Sequence, residues 1–209
     1  MSHDTRNRTN LPAVVLAGGR SLRMGQPKAD VLLCGKPLIS QVLTRLVPQV
    51  DAVAINHNGP IATPLPPDID RFEDTIPGFL GPLAGIASAL LYTRQSHPEA
   101  THVLTVPIDT PFFPTDLAAR LNMGLDSADQ IAVAWSGGNL HPIFGLWPVS
   151  ISSVLEDFVR HDEKRRVRAF LAQHDTKYVQ FPVIDGDDPF FNINSPEDLR
   201  TAEQRLQAP

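Results

Sequence analysis

The sequence predicts an α/β domain built on a mostly parallel sheet with helices on both faces. Three observations carry this expectation. Short apolar runs alternate with helix-period patterns along most of the 209 residues, and such alternation builds a parallel sheet covered on both sides. A glycine-rich basic loop, Gly18–Lys28, follows directly on the first apolar run. Polar residues stand at the ends of three further runs, at Asn56, Asp74 and Asp109. In open sheets of this kind, ligands bind beyond the carboxyl ends of the strands. Four features scattered through the sequence are therefore expected along one edge of the sheet, at a single site.

Each element has its own signal. The first strand is expected at Ala13–Ala17, a buried apolar run. Ile39, Val42, Leu43, Leu46 and Val47 then share one face of a helix, and the next strand is expected at Ala52–Asn56. Pro64–Pro67 reads as a surface loop before a strand at Arg71–Asp74. Leu83, Ile86, Ala87, Leu90 and Leu91 repeat the helical spacing. His102–Val106 is the next strand, and Thr115–Asp116 opens a helix toward Leu117 and Leu121. Further strands are expected at Gln130–Trp135, Ile143–Trp147 and Tyr178–Phe181. Ser195–Pro196–Glu197–Asp198 combines an N-cap, a proline at the first helical position and acids in the first turn. No linker-like stretch is long enough to split the chain. One domain is expected over residues 11–209, after a polar, disordered segment at 1–10.

Composition narrows the class. Hydrophobic residues make up 42% of the chain and charged residues 20%, ordinary values for a globular protein. A chain of this length buries roughly 70% of its unfolded surface. The one cysteine, Cys34, rules out a disulfide within the chain, fits a reducing compartment, and is expected as a small buried or half-buried side chain. The first ten residues have no apolar core, so neither a secretory signal nor a membrane anchor is expected there. No run is long enough to span a bilayer. The net charge of −5, with no basic stripe interleaved with aromatics, argues against nucleic-acid binding. A cytoplasmic location follows as the expectation.

Against that acidic balance, Gly18–Lys28 carries Arg20, Arg23 and Lys28 and no acid. Its three glycines let backbone come close to a ligand, since no Cβ intervenes and positive φ is cheap. A basic, side-chain-poor loop after a first strand suits phosphate groups. The spacing excludes two common phosphate loops. Five residues separate Gly19 from Gly25, and Gln26 stands where a Walker A loop needs lysine. The adjacent pair Gly18–Gly19 breaks the dinucleotide pattern of spaced glycines. A longer loop that wraps a nucleotide and its phosphates remains.

The run Leu16-Ala17-Gly18-Gly19-Arg20-Ser21-Leu22-Arg23-Met24-Gly25-Gln26-Pro27-Lys28 resembles the signature loop of nucleotidyltransferases, and specifically of the molybdenum cofactor guanylyltransferase family. The resemblance continues through Gly35-Lys36-Pro37-Leu38, Gly81-Pro82-Leu83-Ala84-Gly85, Asp109-Thr110-Pro111 and Asn192-Ile193-Asn194-Ser195-Pro196-Glu197-Asp198-Leu199. These five ordered blocks cover nearly the whole chain beyond its first ten residues. The resemblance implies a Rossmann-like three-layer sandwich of the nucleotide-diphospho-sugar transferase type. It divides the domain into a nucleotide-binding part at about 11–110 and a molybdopterin-binding part at about 111–209. The implied reaction moves GMP from GTP to Mo-molybdopterin with Mg²⁺, or Mn²⁺ in its place, and releases pyrophosphate. A monomer is expected, with transient contacts to other cofactor-biosynthesis or acceptor proteins.

The residues suit that chemistry. Nucleotidyl transfer needs charge neutralisation, in-line placement and help for the leaving pyrophosphate, and a phosphate monoester acceptor is already an anion. Asp109 ends an apolar run between Pro107 and Pro111; one carboxylate with substrate phosphates and water is a usual Mg²⁺ arrangement. The other reading of Asp109 is a turn residue before Phe112 and Phe113. Lys28, a compact charge at the end of the loop, suits the triphosphate, with Arg23 assisting. By resemblance, Leu16, Ala17, Gly18 and Gly19 bind GTP through backbone groups, joined by Lys28, Asn56, Asp74 and Asp109. Asn56 and Asp74 equally suit turn capping, or in Asp74 a solvated pair with Glu73. The family usually carries aspartate before the loop lysine, where this chain has Pro27, which stiffens the loop.

For the second substrate, the resemblance points to Arg165, Arg166, Asn192 and Asn194. The basic run Lys164–Arg168 reads alternatively as a solvated helix start. Only one of Asn192 and Asn194 is expected to face the nucleotide edge, and Asn194 has the alternative role of capping the helix at Ser195. Other readings are a cytidylyltransferase of the same type, whose loop resembles Leu-Ala-Ala-Gly in place of Leu16–Gly19, a sugar-1-phosphate nucleotidyltransferase, and a silent nucleotide-binding adaptor that would not need Asp109.

Overall fold

A computed structural model describes residues 10–18, 27–76, 78, 81–162 and 166–207. The sequence readings at residues 1–9, Gly19, Arg23 and Arg165 lie outside the described residues.

Seven strands form one sheet: β1 (Pro12–Leu16), β4 (Ala52–Asn56), β5 (Asp70–Phe72), β6 (His102–Pro107), β7 (Ile131–Ser136), β8 (Asn139–Pro148) and β9 (Thr176–Gln180). Two short strands, β2 (Leu32–Leu33) and β3 (Lys36–Pro37), form a separate hairpin. The sheet order is β5-β4-β1-β6-β8-β7-β9. All neighbours pair in parallel except β8, which runs opposite to both β6 and β7. The reversal comes from a two-residue turn, Gly137–Gly138, with φ of 53° and 80°. Positive φ at both positions is the hairpin geometry that glycine adopts without strain. The sheet is thus mostly parallel, as the pattern predicted.

Alternation of side chains divides the core into two layers. Ala13 and Val15 of β1, Ile55 of β4 and Leu104 and Val106 of β6 pack with Ile39, Val42, Leu43 and Leu46 of α1 (Leu38–Leu46), and with Leu117 and Leu121 of α3 (Leu117–Met123). Val14, Ala54 and Val103 point the other way. They meet Leu83, Ile86 and Leu90 of α2 (Pro82–Ser96), Leu155 and Val159 of α4 (Ser152–His161), and Phe170 of α5 (Val167–Leu171). Helices therefore cover both faces of the period-two strands. A third cluster seats Ala202 of α6 (Pro196–Gln207) beside Val31, Leu33, Leu38 and Ile193, and so ties the C-terminal helix to the hairpin.

The departures from expectation are local. The strand read at Arg71–Asp74 spans Asp70–Phe72, so Asp74 lies beyond its end. The strand read at Ile143–Trp147 begins at Asn139; a register shift against β7 absorbs Pro142, which has no N–H to donate. α4 was not read from the sequence, and α5 begins within the Lys164–Arg168 run that had the alternative reading of a helix start. Cys34 is exposed, not buried, because Cys34–Gly35 is the tip of the β2–β3 hairpin, with φ of 49° and 77°. No helix among the described residues is long and apolar enough to cross a membrane.

Candidate active site

Because β1, β4, β5 and β6 run in parallel, their carboxyl ends share one edge of the sheet. A cavity of about 590 Å³ opens there, lined by Leu16, Gly18, Lys28, Asn56, Asp74 and Asp109, by Gly81, Pro82 and Gly85 at the start of α2, and by Ile143, Asn192 and Asn194. Residues from 16 to 194 converge on it, as the strand-edge rule requires.

Two polar knots organise this cavity. In the first, Lys28 Nζ donates to Asp109 Oδ2 at 2.6 Å and to Asn194 Oδ1 at 2.6 Å. Lys28 begins a single 3-10 turn at Lys28–Asp30, and Asp109 lies two residues past β6. The ammonium and carboxylate are largely shielded, with side chains 15% and 19% exposed. Thr110, fully buried, donates its hydroxyl to Asn192 Oδ1, and the Ile193 N–H donates to the Asp109 carbonyl at 2.7 Å. Asn192 and Asn194 therefore both line the cavity, correcting the expectation that only one would. Positions two apart in extended chain share a face, and Ile193 between them turns into the core.

In the second knot, Asp74 accepts from Asn56 Nδ2 at 3.0 Å and from Asn58 Nδ2 at 2.7 Å, while its own N–H donates to Asn58 Oδ1 at 2.8 Å. Asp74 is thus neither a solvated partner of Glu73 nor a simple turn cap. Asn56 is buried, and among the described residues its Oδ1 has no partner. An unpaired buried acceptor costs about 1–3 kcal/mol. Gly85 explains why this oxygen has room: a Cβ there would stand 3.0 Å from Asn56 Oδ1 and 3.4 Å from Leu16 Cδ2. The first turn of α2 faces the same space, bringing the positive end of a 15-residue helix to the cavity, where it would favour an anion.

Other sequence-assigned residues fall differently. Ala17 is buried and is not among the lining residues; its N–H is committed to the Asn56 carbonyl at 2.9 Å. Arg166 is exposed at the start of α5 and is not among the lining residues. Asn194 spends its side chain on Lys28 rather than on capping. Ser195 and Asp198 cap α6 instead: Asp198 Oδ2 accepts from the N–H groups of Asn194 and Ser195, each at 2.9 Å. The Asn194 N–H bond, above all, holds the Asp198 carboxyl below its usual pKa. Asn58 escaped the sequence reading, and Thr110 entered it only within the Asp109-Thr110-Pro111 block, with no role of its own.

The family of MobA-like NTP transferase domains matches residues 13–177. The chain belongs to that family. Among its curated relatives, the molybdenum cofactor guanylyltransferase of Sinorhizobium fredii is 53% identical over 199 residues, covering 93% of this chain and 91% of the relative. The protein of the same name from Rhizobium meliloti is 53% identical over 202 residues, with 93% and 91% covered. Among solved structures, a molybdopterin-guanine dinucleotide biosynthesis protein A from Archaeoglobus fulgidus superimposes with a TM-score of 0.66 at 23% identity, covering 94% of this chain and 98% of that one. The matched segment spans the sheet from β1 to the start of β9 and α1 to α5, while Asn192 and Asn194 of the cavity lie past it.

Proposed function

We propose that this chain transfers GMP from GTP to Mo-molybdopterin, forming the guanine dinucleotide and pyrophosphate. The supporting observation is the meeting of Gly18, Lys28, Asn56, Asp74 and Asp109 in one cavity at the strand edge, in a chain whose relatives carry the guanylyltransferase name. A phosphate oxygen of molybdopterin attacks the α-phosphorus of GTP. The new P–O bond forms as the bond to the bridging oxygen breaks, and its electron pair leaves with pyrophosphate.

The protein supplies position and electrostatics rather than a nucleophile. Asn56 and Asp74 present acceptors to the N–H and O–H donors of the nucleoside, and the orphan Asn56 oxygen gains its missing partner there. Lys28 meets the triphosphate as a point charge, helped by the first turn of α2. Residues 11–110 supply these nucleotide contacts, and Asn192 and Asn194 bring the later part of the chain to the reacting phosphates.

The donor set fits a hard cation. Asp109 would give one carboxylate, and Asn192 and Asn194 amide oxygens, a hard-oxygen set of the kind Mg²⁺ takes alongside substrate phosphates and water. Bound there, Mg²⁺ would neutralise charge on the triphosphate, and Asp109 would hold it.

A thermal-shift panel of GTP, CTP, UTP and ATP with Mg²⁺ tests the base assignment. GTP near 100 times its Kd is expected to raise the midpoint by roughly 5–10 °C, well above the other three. A larger shift with CTP would overturn the guanylyl reading in favour of the cytidylyl one.

A further inference from the structure

Ser136, His141 and Asp188 form a polar cluster outside the cavity lining. Ser136 ends β7, which runs parallel to β1 and β6 and so finishes on the cavity edge. His141 lies near the start of β8, on the same edge because β8 runs the other way. Ser136 is fully buried, and the His141 side chain is 15% exposed. The Ser136 hydroxyl donates to Asp188 Oδ1 at 2.7 Å, and His141 Nε2 lies 2.8 Å from Ser136 Oγ. Ser136 has a single proton, already given to a carboxylate that accepts only. The Nε2 of His141 therefore carries the proton of the second bond.

Asp188 is also where the chain turns toward the active site. Its Oδ1 accepts the Phe190 N–H at 2.9 Å, and its carbonyl accepts from the Phe191 N–H and from Arg205 Nη1, each at 3.2 Å. The Phe190 ring stacks on the His141 imidazole, centroids 4.6 Å apart. One residue beyond Phe191 comes Asn192, and then Asn194 on Lys28.

We propose that Ser136, His141 and Asp188 are positioning residues. They hold the backbone and the ring of Phe190, and through it place Asn192 and Asn194 against the Lys28–Asp109 pair. Phe190 is gripped by its N–H through Asp188 and by its ring between His141 on one side and Phe144 and Phe181 of the core. The Ser136 hydroxyl joins the Asp188 and His141 contacts, so its loss loosens both at once. Burial of the imidazole, with the Arg168 charge adding to it against Asp188, lowers the His141 pKa and keeps it a neutral Nε2–H donor. The consequence for the reaction rests on the GMP-transfer reading, because it concerns where Lys28 is held for phosphoryl chemistry. The nucleoside end, at Asn56 and Asp74, makes none of these contacts.

Ser136→Ala and His141→Phe test this; the second keeps a ring on Phe190 but has no N–H. Both are expected to lower kcat about ten- to a hundredfold, since ångström-scale misplacement costs that much. The Kd for a non-reacting GTP analogue should stay within about threefold, with binding stoichiometry near one, so that folded enzyme is counted. A kcat within about twofold of wild type in Ser136→Ala, or a loss of rate only in proportion to lost binding sites, would overturn the proposal. The side-chain amide resonances of Asn192 and Asn194 give a readout that needs no turnover. They are expected to move in both variants, and resonances that stayed in place would overturn the proposal on their own. Wild-type enzyme that released no pyrophosphate from GTP and molybdopterin would instead sink the GMP-transfer reading, leaving the resonance test to decide the positioning.

Discussion

Replacing Asp109 with alanine is expected to lower kcat for pyrophosphate release by about 10²–10³-fold, the loss seen when one preorganised electrostatic group is removed from an active site. Asp109 is the carboxylate paired with Lys28 at 2.6 Å, on a short loop that the Ile193 N–H braces from below. Asp109→Asn should fall nearly as far, because an amide oxygen can still accept from Lys28 but carries no charge for a metal. Binding of GTP without metal should survive both changes, since Asn56 and Asp74 lie in the other knot. Steady-state pyrophosphate release and equilibrium GTP binding together check this. Turnover near the wild-type rate in Asp109→Ala would remove Asp109 from the role proposed for it.

The largest stability loss is expected at Trp147. Its side chain is fully buried in the layer under α2 and α4, its ring 6.4 Å from that of Phe170. Trp147→Ala should cost about 3–5 kcal/mol, transfer and cavity terms together. A thermal midpoint lower by roughly 6–20 °C is the corresponding shift for a domain of this size. Trp147 Nε1 also donates to Thr105 Oγ1 at 3.0 Å, and Thr105 in turn donates to the carbonyl of cavity-lining Ile143 at 2.6 Å. Trp147→Phe keeps most of the volume but drops the first of these bonds, for about 1–3 kcal/mol. Urea unfolding of the two variants separates the terms, and an alanine variant within about 1 kcal/mol of wild type would contradict the packing argument.

Much of this architecture is legible in the sequence because its elements are amphipathic in a simple way. Ile39, Val42, Leu43 and Leu46 all face the sheet, and Val14 alternates with Ala13 and Val15 between the two layers. The site's location followed from strand ends, a topological rule that needs no atomic detail. What was not legible depends on contacts distant in sequence. The Asn58 link to Asp74 spans 16 positions and the Asn194 link to Lys28 spans 166, and neither leaves a periodic trace. Pro142 concealed the first half of β8, since a proline within a strand reads as its boundary. α4 carries Leu155, Phe158 and Val159 on a helical spacing, but only three apolar positions mark it, against a dense basic run directly after it.

The contact between Lys28 and Asp109 has a consequence for how substrates are loaded. In the resting enzyme each group serves as the other's counter-ion, so neither waits as a bare charge in a shielded place. A metal-complexed nucleotide offers a replacement for both at once, and its entry is a swap of partners. A nucleotide alone would draw Lys28 away and strand the carboxylate; a lone cation would do the reverse, and stranding a shielded charge is costly. On the proposed reading the pair would favour joint arrival over piecemeal occupancy, and half-assembled complexes would be scarce.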